Sequence, residues 1–110
     1  MNELPIIQKT YDLIKWYIPH LNNLPRSHKY VLGDMMAKEL YEILSLLITA
    51  RYSNSKLCEL RQVNTLLEIL RYQTRLLFDL NLTIDARRLE FVSNSFNDIG
   101  NDLGDRKSVV

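Results

Sequence analysis

Few side chains in this sequence stand in a pattern that could bind a metal or transfer a proton. The only histidines, His20 and His28, flank a predicted turn, and no Cys, Asp or Glu stands beside them at metal-ligand spacing. Glu39 and Glu42 share a face of a predicted helix, but helical di-iron sites need Glu-x-x-His pairs, which the sequence lacks. We therefore expect these side chains on the surface, and we expect no metal and no cofactor.

The sequence also lacks a glycine-rich phosphate loop and any motif for a Ser-His-Asp or Cys-His nucleophile. Cys58 is the only cysteine, and a lone thiol is typical of a reducing cytoplasm. The first residues lack the pattern of a signal peptide, and no apolar run approaches the roughly 20 residues that span a bilayer. The sequence predicts a cytoplasmic protein that is not an enzyme and is not in a membrane.

Basic residues are concentrated in two parts of the chain. The 110 residues have a net charge of only +1. Residues 15–34 and 71–90 hold seven basic and four acidic residues, a net +3, whereas the rest holds seven basic and nine acidic, a net −2. Clustered Lys and Arg attract phosphate groups. The candidate nucleic-acid-binding residues are Lys15, Arg26, Lys29, Arg71, Arg75, Arg87 and Arg88. The alternative is that the arginines pair with Asp79, Asp85 and Glu90 in surface salt bridges of little energetic value.

Four segments repeat apolar residues at steps of three and four, which predicts helices with one buried face. The predicted helices cover about 5–22, 26–52, 55–80 and 84–103 of a single domain, 1–110. All three connections are short, so sequential helices are expected to be antiparallel neighbours. The predicted fold is all-α, an antiparallel up-down-up-down four-helix bundle, with the first and third turns, and the candidate basic residues, at one end.

The predicted core is one seam on each helix. The four seams are Ile7, Tyr11, Ile14, Ile18 and Leu21; Tyr30, Gly33, Ala37, Leu40, Leu44 and Leu47; Leu60, Val63, Leu67, Leu70, Thr74 and Leu77; and Leu89, Val92, Phe96, Ile99 and Leu103. Leu13, Tyr17, Ile43, Ile69 and Leu76 are expected to flank these seams.

Several single residues predict local features. Pro19 predicts a kink with the helix continuing about one turn, or an end at Ile18. Ser55 and Thr83 are predicted N-caps, and Gly104 is a predicted helix stop. Trp16 is expected to pack over Gly33, because both lie at similar heights on facing helices. A glycine inside a helix is destabilising, and close packing of another side chain would offset that cost.

The stretch between the first two helices carries a pattern made of Trp16, Pro19, Pro25-Arg26 and Leu32-Gly33-Asp34. It resembles the signature of the Avd proteins, the accessory subunits of diversity-generating retroelements. The same bundle family includes proteins encoded within intervening sequences of bacterial 23S ribosomal RNA genes. Leu89-Glu90-Phe91 and Asp98-Ile99-Gly100 also resemble the last helix of that family.

The resemblance implies a non-catalytic subunit. Avd proteins form homopentameric barrels that bind a reverse transcriptase and its template RNA and support mutagenic cDNA synthesis. Apolar residues off the predicted seams, such as Tyr41, Leu46 and Tyr72, also favour an oligomer, since a lone bundle would expose some of them. The alternative function is a structural or protein-binding role, as a relative of the ribosomal intervening-sequence proteins.

Overall fold

The computed structural model describes the backbone of residues 4–109 and the side chains of residues 5–104. Within that range the chain is all-α, with four helices and no strand, and the predicted fold class is confirmed to that extent. The first three residues and Val110, which the predicted domain includes, lie outside the described part. The helices are α1, Leu4–Asn22; α2, residues 26–51; α3, Lys56–Asp79; and α4, Ala86–Val109.

Helix α2 changes its winding near its start. A single α turn, Arg26–His28, leads into a π-helical segment, Lys29–Gly33, and then into the main α-helix, Asp34–Arg51. The carbonyl of Pro25 accepts hydrogen bonds from the N–H groups of His28 and Lys29, at 2.9 and 2.8 Å. The N–H of Asp34 bonds to the carbonyl of Lys29, five residues back, as a π turn requires.

Gly33 allows the end of α1 to approach this π segment closely. A Cβ atom on Gly33 would lie 3.3 Å from Leu24 Cδ1 and 3.5 Å from the carbonyl oxygen of Leu21. The predicted contact between Trp16 and Gly33 is therefore wrong. The glycine makes room for Leu24, and the Trp16 ring stacks on Phe91 of α4 instead.

The buried residues of α3 and α4 follow the predicted seams. All six predicted residues of α3 are buried, and so are Val92, Phe96, Ile99 and Leu103 of α4, with Leu89 half-buried. Each helix packs against two others, because α1 and α3 both contact α2 and α4. One core lies between the four helices.

The predicted seam of α1 is wrong by one residue, apart from Leu21, which is buried. Its core residues are Ile6, Thr10, Leu13, Tyr17 and Leu21, while Tyr11 is 52% exposed and Ile7, Ile14 and Ile18 are half-buried. On α2 the core residues are Gly33, Met36, Leu40, Ile43, Leu47 and Ala50. Tyr30 is 61% exposed, and Ala37 and Leu44 are half-buried. The buried stripe of α1 therefore lies next to the predicted one. On α2 the predicted Gly33, Leu40 and Leu47 are confirmed, and Met36, Ile43 and Ala50 complete the core.

Tyr17 joins α1 to α3 across the middle of the core. Its side chain is fully buried, and its hydroxyl lies 2.7 Å from Thr74 Oγ1, which is buried too. Burial raises the pKa of the Tyr17 hydroxyl, although the hydrogen bond to Thr74 opposes that shift. The hydroxyl therefore stays protonated and can donate or accept this bond.

The third connection ends α3 and begins α4 with specific hydrogen bonds. Asn81 has a φ of 56°, and the N–H groups of Asn81 and Leu82 bond back to the carbonyls of Phe78 and Leu77. This is a Schellman ending, in which asparagine replaces the usual glycine. Asp85 Oδ1 accepts the N–H of Arg88 at 2.8 Å. Asp85 therefore caps α4, and the predicted cap at Thr83 is wrong because the helix begins later.

Three other local predictions have clear outcomes. Helix α1 continues through Pro19 to Asn22, so it does not end at Ile18. Ser55 stands at the N-cap position of α3 but makes no capping bond with its side chain. The predicted stop at Gly104 is wrong: α4 continues to Val109, and no glycine in the described range has the positive φ of a helix-ending residue.

The Tyr17–Thr74 bond predicts a non-additive stability pattern. Tyr17→Phe leaves the buried Thr74 hydroxyl without its partner and should lower the free energy of unfolding by about 1–3 kcal/mol. Adding Thr74→Val removes the stranded hydroxyl as well, so the double variant should lose less than the sum of the two single changes. Urea unfolding of the parent and the three variants measures this. Strict additivity would contradict the bond.

Candidate nucleic-acid interface

The end of α1 meets the beginning of α4. The rings of Trp16 and Phe91 pack against each other at an interplanar angle of 41°, with centroids 5.0 Å apart. His20 lies close enough to Arg88 and Asp85 for both charges to act on its pKa. The first and third connections are thereby brought to the same region of the molecule, together with basic residues from both predicted segments.

Arg71 is engaged in holding α3 to α4. Its Nη1 donates to Asn97 Oδ1 at 2.6 Å, and its Nη2 donates to the carbonyl of Phe96 at 3.3 Å. Its Nε lies 3.2 Å from Glu68 Oε1, within salt-bridge distance but outside hydrogen-bonding alignment. A Cβ on Gly100 would come within 3.2 Å of the guanidinium, so the glycine admits it. Arg71 has a structural role whether or not it also attracts phosphate.

Two other arginines also have partners within the chain. Arg75 Nε lies 3.3 Å from Asp79 Oδ1, one of the surface salt bridges that the sequence left as an alternative. Arg88 Nη1 donates to the carbonyl of Thr83 at 2.8 Å. Since a carbonyl is neutral, that bond leaves the positive charge of Arg88 uncompensated. Arg88 is exposed, so its charge faces solvent.

The remaining four candidates are less constrained. Lys15 Nζ lies 5.9 Å from the centre of the Tyr11 ring, and Lys29 Nζ lies 5.7 Å from that of Tyr30. Arg26 and Arg87 are exposed, and neither has an ion pair or hydrogen bond from its side chain within residues 5–104. The assignment of all seven residues to nucleic-acid binding stays a prediction.

Three aromatic side chains next to these basic residues form a cluster that the sequence analysis missed. We call Trp16, His20 and Phe91 the aromatic cluster. The His20 ring packs against Trp16 at an interplanar angle of 53° with centroids 4.4 Å apart, and the buried Tyr17 ring makes an edge-to-face contact with Trp16 at 5.4 Å. Phe91 is 49% exposed. The spacing of Trp16 and His20, one helical turn apart, was a signal for part of it; the contact with Phe91 was not visible in the sequence.

This environment disfavours the protonated form of His20. Burial lowers the pKa of the imidazole, the charge of Arg88 lowers it further, and Asp85 opposes both. His28 lies half-buried at the beginning of α2. Among the side chains that the structure describes, no three His, Cys, Asp or Glu residues lie together as a metal site.

Two shallow grooves lie between helices. One of about 340 Å³ separates α3 from α4 and is lined by Glu68, Arg71, Tyr72, Arg75, Leu89 and Ser93. The other, of about 610 Å³, lies between α2 and α3 and includes Glu42, Cys58 and Leu66. Neither groove contains the aromatic cluster. None of the helices in the described part is long and apolar enough to cross a membrane.

The family model described as bAvd-like matches residues 4–109, and the chain belongs to that family. The predicted relationship to the Avd proteins is thereby confirmed, and the family is of an accessory, non-catalytic kind. Comparison with curated proteins gives no match.

The lowered pKa of His20 predicts a pH-dependent stability. The unfolded imidazole has a pKa near 6.5, above that of the folded state. Below about pH 6.5 the unfolded chain binds more protons, so the free energy of unfolding should fall as the pH drops from about 7.5 to about 5.5.

His20→Gln should flatten this dependence, whereas His28→Gln, outside the aromatic cluster, should keep it. Urea unfolding at several pH values measures both variants. An equally steep decline in His20→Gln and in the parent would contradict the assignment of the pH dependence to His20.

Proposed function

We propose that this protein is the non-catalytic accessory subunit of a diversity-generating retroelement. In this role it binds the reverse transcriptase and its template RNA and supports mutagenic cDNA synthesis in the cytoplasm. The observation that carries the proposal is the bAvd-like family match over nearly the whole chain. The second candidate, a structural or protein-binding bundle related to the ribosomal intervening-sequence proteins, is compatible with the net charge of only +1.

The proposal includes the antiparallel up-down-up-down course of the bundle. Lys9 Nζ, near the beginning of α1, lies 3.0 Å from Asp102 Oδ2, near the end of α4. At the other end of the bundle Trp16, near the end of α1, contacts Phe91, near the beginning of α4. This order supports one end that carries both the first and third turns, and with them the net +3 of residues 15–34 and 71–90.

We also propose that the protein is a homo-oligomer, a pentamer by its resemblance to the Avd proteins. An apolar surface beside the core supports self-association. Lys9 and Trp16 both contact residues of α4, so they mark the side of α1 that faces α4. The opposite side of α1 faces α2. Glu42 lines the groove between α2 and α3, so it marks the side of α2 that faces α3. The opposite side of α2 faces α1. The residues of these two opposite sides, here called the α1–α2 face, are Ile7, Tyr11, Ile14, Ile18, Ala37, Tyr41, Leu44 and Ile48.

The α1–α2 face is unusual for a lone subunit. Its eight residues are uncharged, with Lys15 at the edge over the Tyr11 ring, and Tyr11, Tyr41 and Ile48 are 52, 51 and 44% exposed. Contiguous exposed apolar patches on soluble proteins mark interaction sites. In a cyclic ring every subunit points the same way, so five copies of the basic end would sum to about +15 on one side. Oligomerisation thereby creates a field that a nearly neutral subunit lacks.

Light scattering should give a mass about five times the 13.0 kDa of one chain. Replacing Tyr41 and Ile48 by Glu places two charges on the exposed part of the α1–α2 face, so this variant should be monomeric with unchanged helical circular dichroism. Tyr52→Glu, at the exposed second turn at the end of the bundle, is the control and should stay oligomeric. A monomeric parent would overturn the oligomer, and an oligomeric double variant would overturn this interface.

Nucleic-acid binding should depend on the unpaired basic residues at the proposed end. Replacing Arg26 and Arg87 by Glu should weaken RNA binding about tenfold or more and make it less salt-dependent, because fewer phosphate contacts release fewer counterions. These two residues make no side-chain bond in residues 5–104, so the fold should survive. Filter retention at several salt concentrations measures the effect.

The matched control reverses two exposed basic residues elsewhere, Lys38 and Arg61, with the same change in charge. Equal losses in both double variants would show a general charge effect and contradict a specific end. Absence of RNA binding by the parent at low salt would favour the structural or protein-binding role.

A further inference from the structure

We propose that the aromatic cluster is a stacking site for an unpaired base of single-stranded nucleic acid, with Phe91 as the exposed platform and the neighbouring basic residues holding the phosphates. This inference rests on the proposed nucleic-acid binding and specifies its ligand. The cluster supplies a flat apolar surface, which phosphate attraction does not require. Bases within a duplex stack on one another, so only unpaired bases offer a free face to a protein ring.

The geometry of the cluster is that of a supported platform. Phe91 is 49% exposed, and its ring packs against Trp16 at an interplanar angle of 41° with centroids 5.0 Å apart. Trp16 is held in turn by His20 and by the edge of Tyr17. Tyr17 is fixed in the core through its hydrogen bond to Thr74. A ring backed in this way is ordered before the ligand arrives, so little side-chain entropy is lost on binding.

Charge around the cluster is suited to a phosphate backbone. Arg88 stands three residues before Phe91 on α4, and its guanidinium bonds to a neutral carbonyl. Arg87, the residue before Arg88 on α4, is exposed as well, whereas Lys15 Nζ lies 5.9 Å from the centre of the Tyr11 ring, away from the cluster. Asp85 and Glu90 are the acidic residues of this segment, and the Asp85 carboxylate accepts the N–H of Arg88. Arg88, whose guanidinium faces no carboxylate partner within residues 5–104, is therefore the cation placed to meet a phosphate beside Phe91.

An exposed phenylalanine could instead be covered by a second copy of the chain. The α1–α2 face, whose eight residues are uncharged, already offers a surface for self-association, and it lies on the opposite flank of α1 from Trp16. The arginine beside Phe91 also distinguishes the two surfaces, since stacking sites for single strands combine aromatic rings with cations.

Trp16 is the only tryptophan of the chain, so its fluorescence reports directly on this site. The full-length protein is titrated with a single-stranded oligouridine RNA and with an RNA duplex of equal length. Oligouridine should quench Trp16 and bind with measurable preference over the duplex. Phe91→Leu should weaken oligouridine binding about tenfold and duplex binding less than twofold. Phe91→Tyr, which keeps an aromatic ring, should keep the preference for oligouridine over the duplex. Tyr52→Leu, at an exposed tyrosine after α2, is the matched control and should change neither affinity.

The outcomes separate this inference from the proposed function. Equal binding of single strand and duplex, with no effect of Phe91→Leu, would overturn the stacking site and leave the basic end as the binding surface. A lower oligomer mass for Phe91→Leu would overturn it in favour of a subunit contact. Binding of neither RNA by the parent would overturn both the inference and the proposed nucleic-acid function.

Discussion

The hydrogen bond between Tyr17 and Thr74 fixes the rotation of α1, and the surfaces of the molecule follow from that rotation. Because the Tyr17 hydroxyl has to meet a partner in the core, Tyr17 points inward. Trp16, the preceding residue, is then turned to α4, where it meets Phe91. Ile18, the following residue, is turned to the opposite flank beside α2 and stays half-buried. By fixing the rotation of α1, this buried polar bond places the aromatic, basic region on one side of the helix and the apolar region on the other.

The sequence was sufficient to predict the core of α3 and most of α4, because each helix has one dominant apolar stripe. It was not sufficient for α1, which has two. Ile7, Tyr11, Ile14 and Ile18 form the more apolar stripe, yet the buried one contains Thr10, whose hydroxyl donates to the carbonyl of Ile6 at 2.9 Å. A threonine satisfied within its own helix can be buried at little cost, which an apolar pattern cannot reveal.

The candidate interface could also be predicted from the sequence only in part. Charge counting along the chain identified the basic segments, because short connections limit which segments share an end. It could not show that Arg71 is bound to Asn97 and Phe96, or that Arg75 faces Asp79. The contact between Trp16 and Phe91 joins positions far apart in sequence and depends on the rotation of α1, so only the packed structure reveals it.

The central proposal is that the end with the first and third turns receives nucleic acid. The most direct measurement is a titration of isotope-labelled protein with a short single-stranded RNA, followed by TROSY-type amide spectra. Amide shifts should change most at residues 23–29 and 80–91, with little change at the second turn, residues 52–55. Largest changes at the second turn, or changes spread evenly over the four helices, would contradict the proposal.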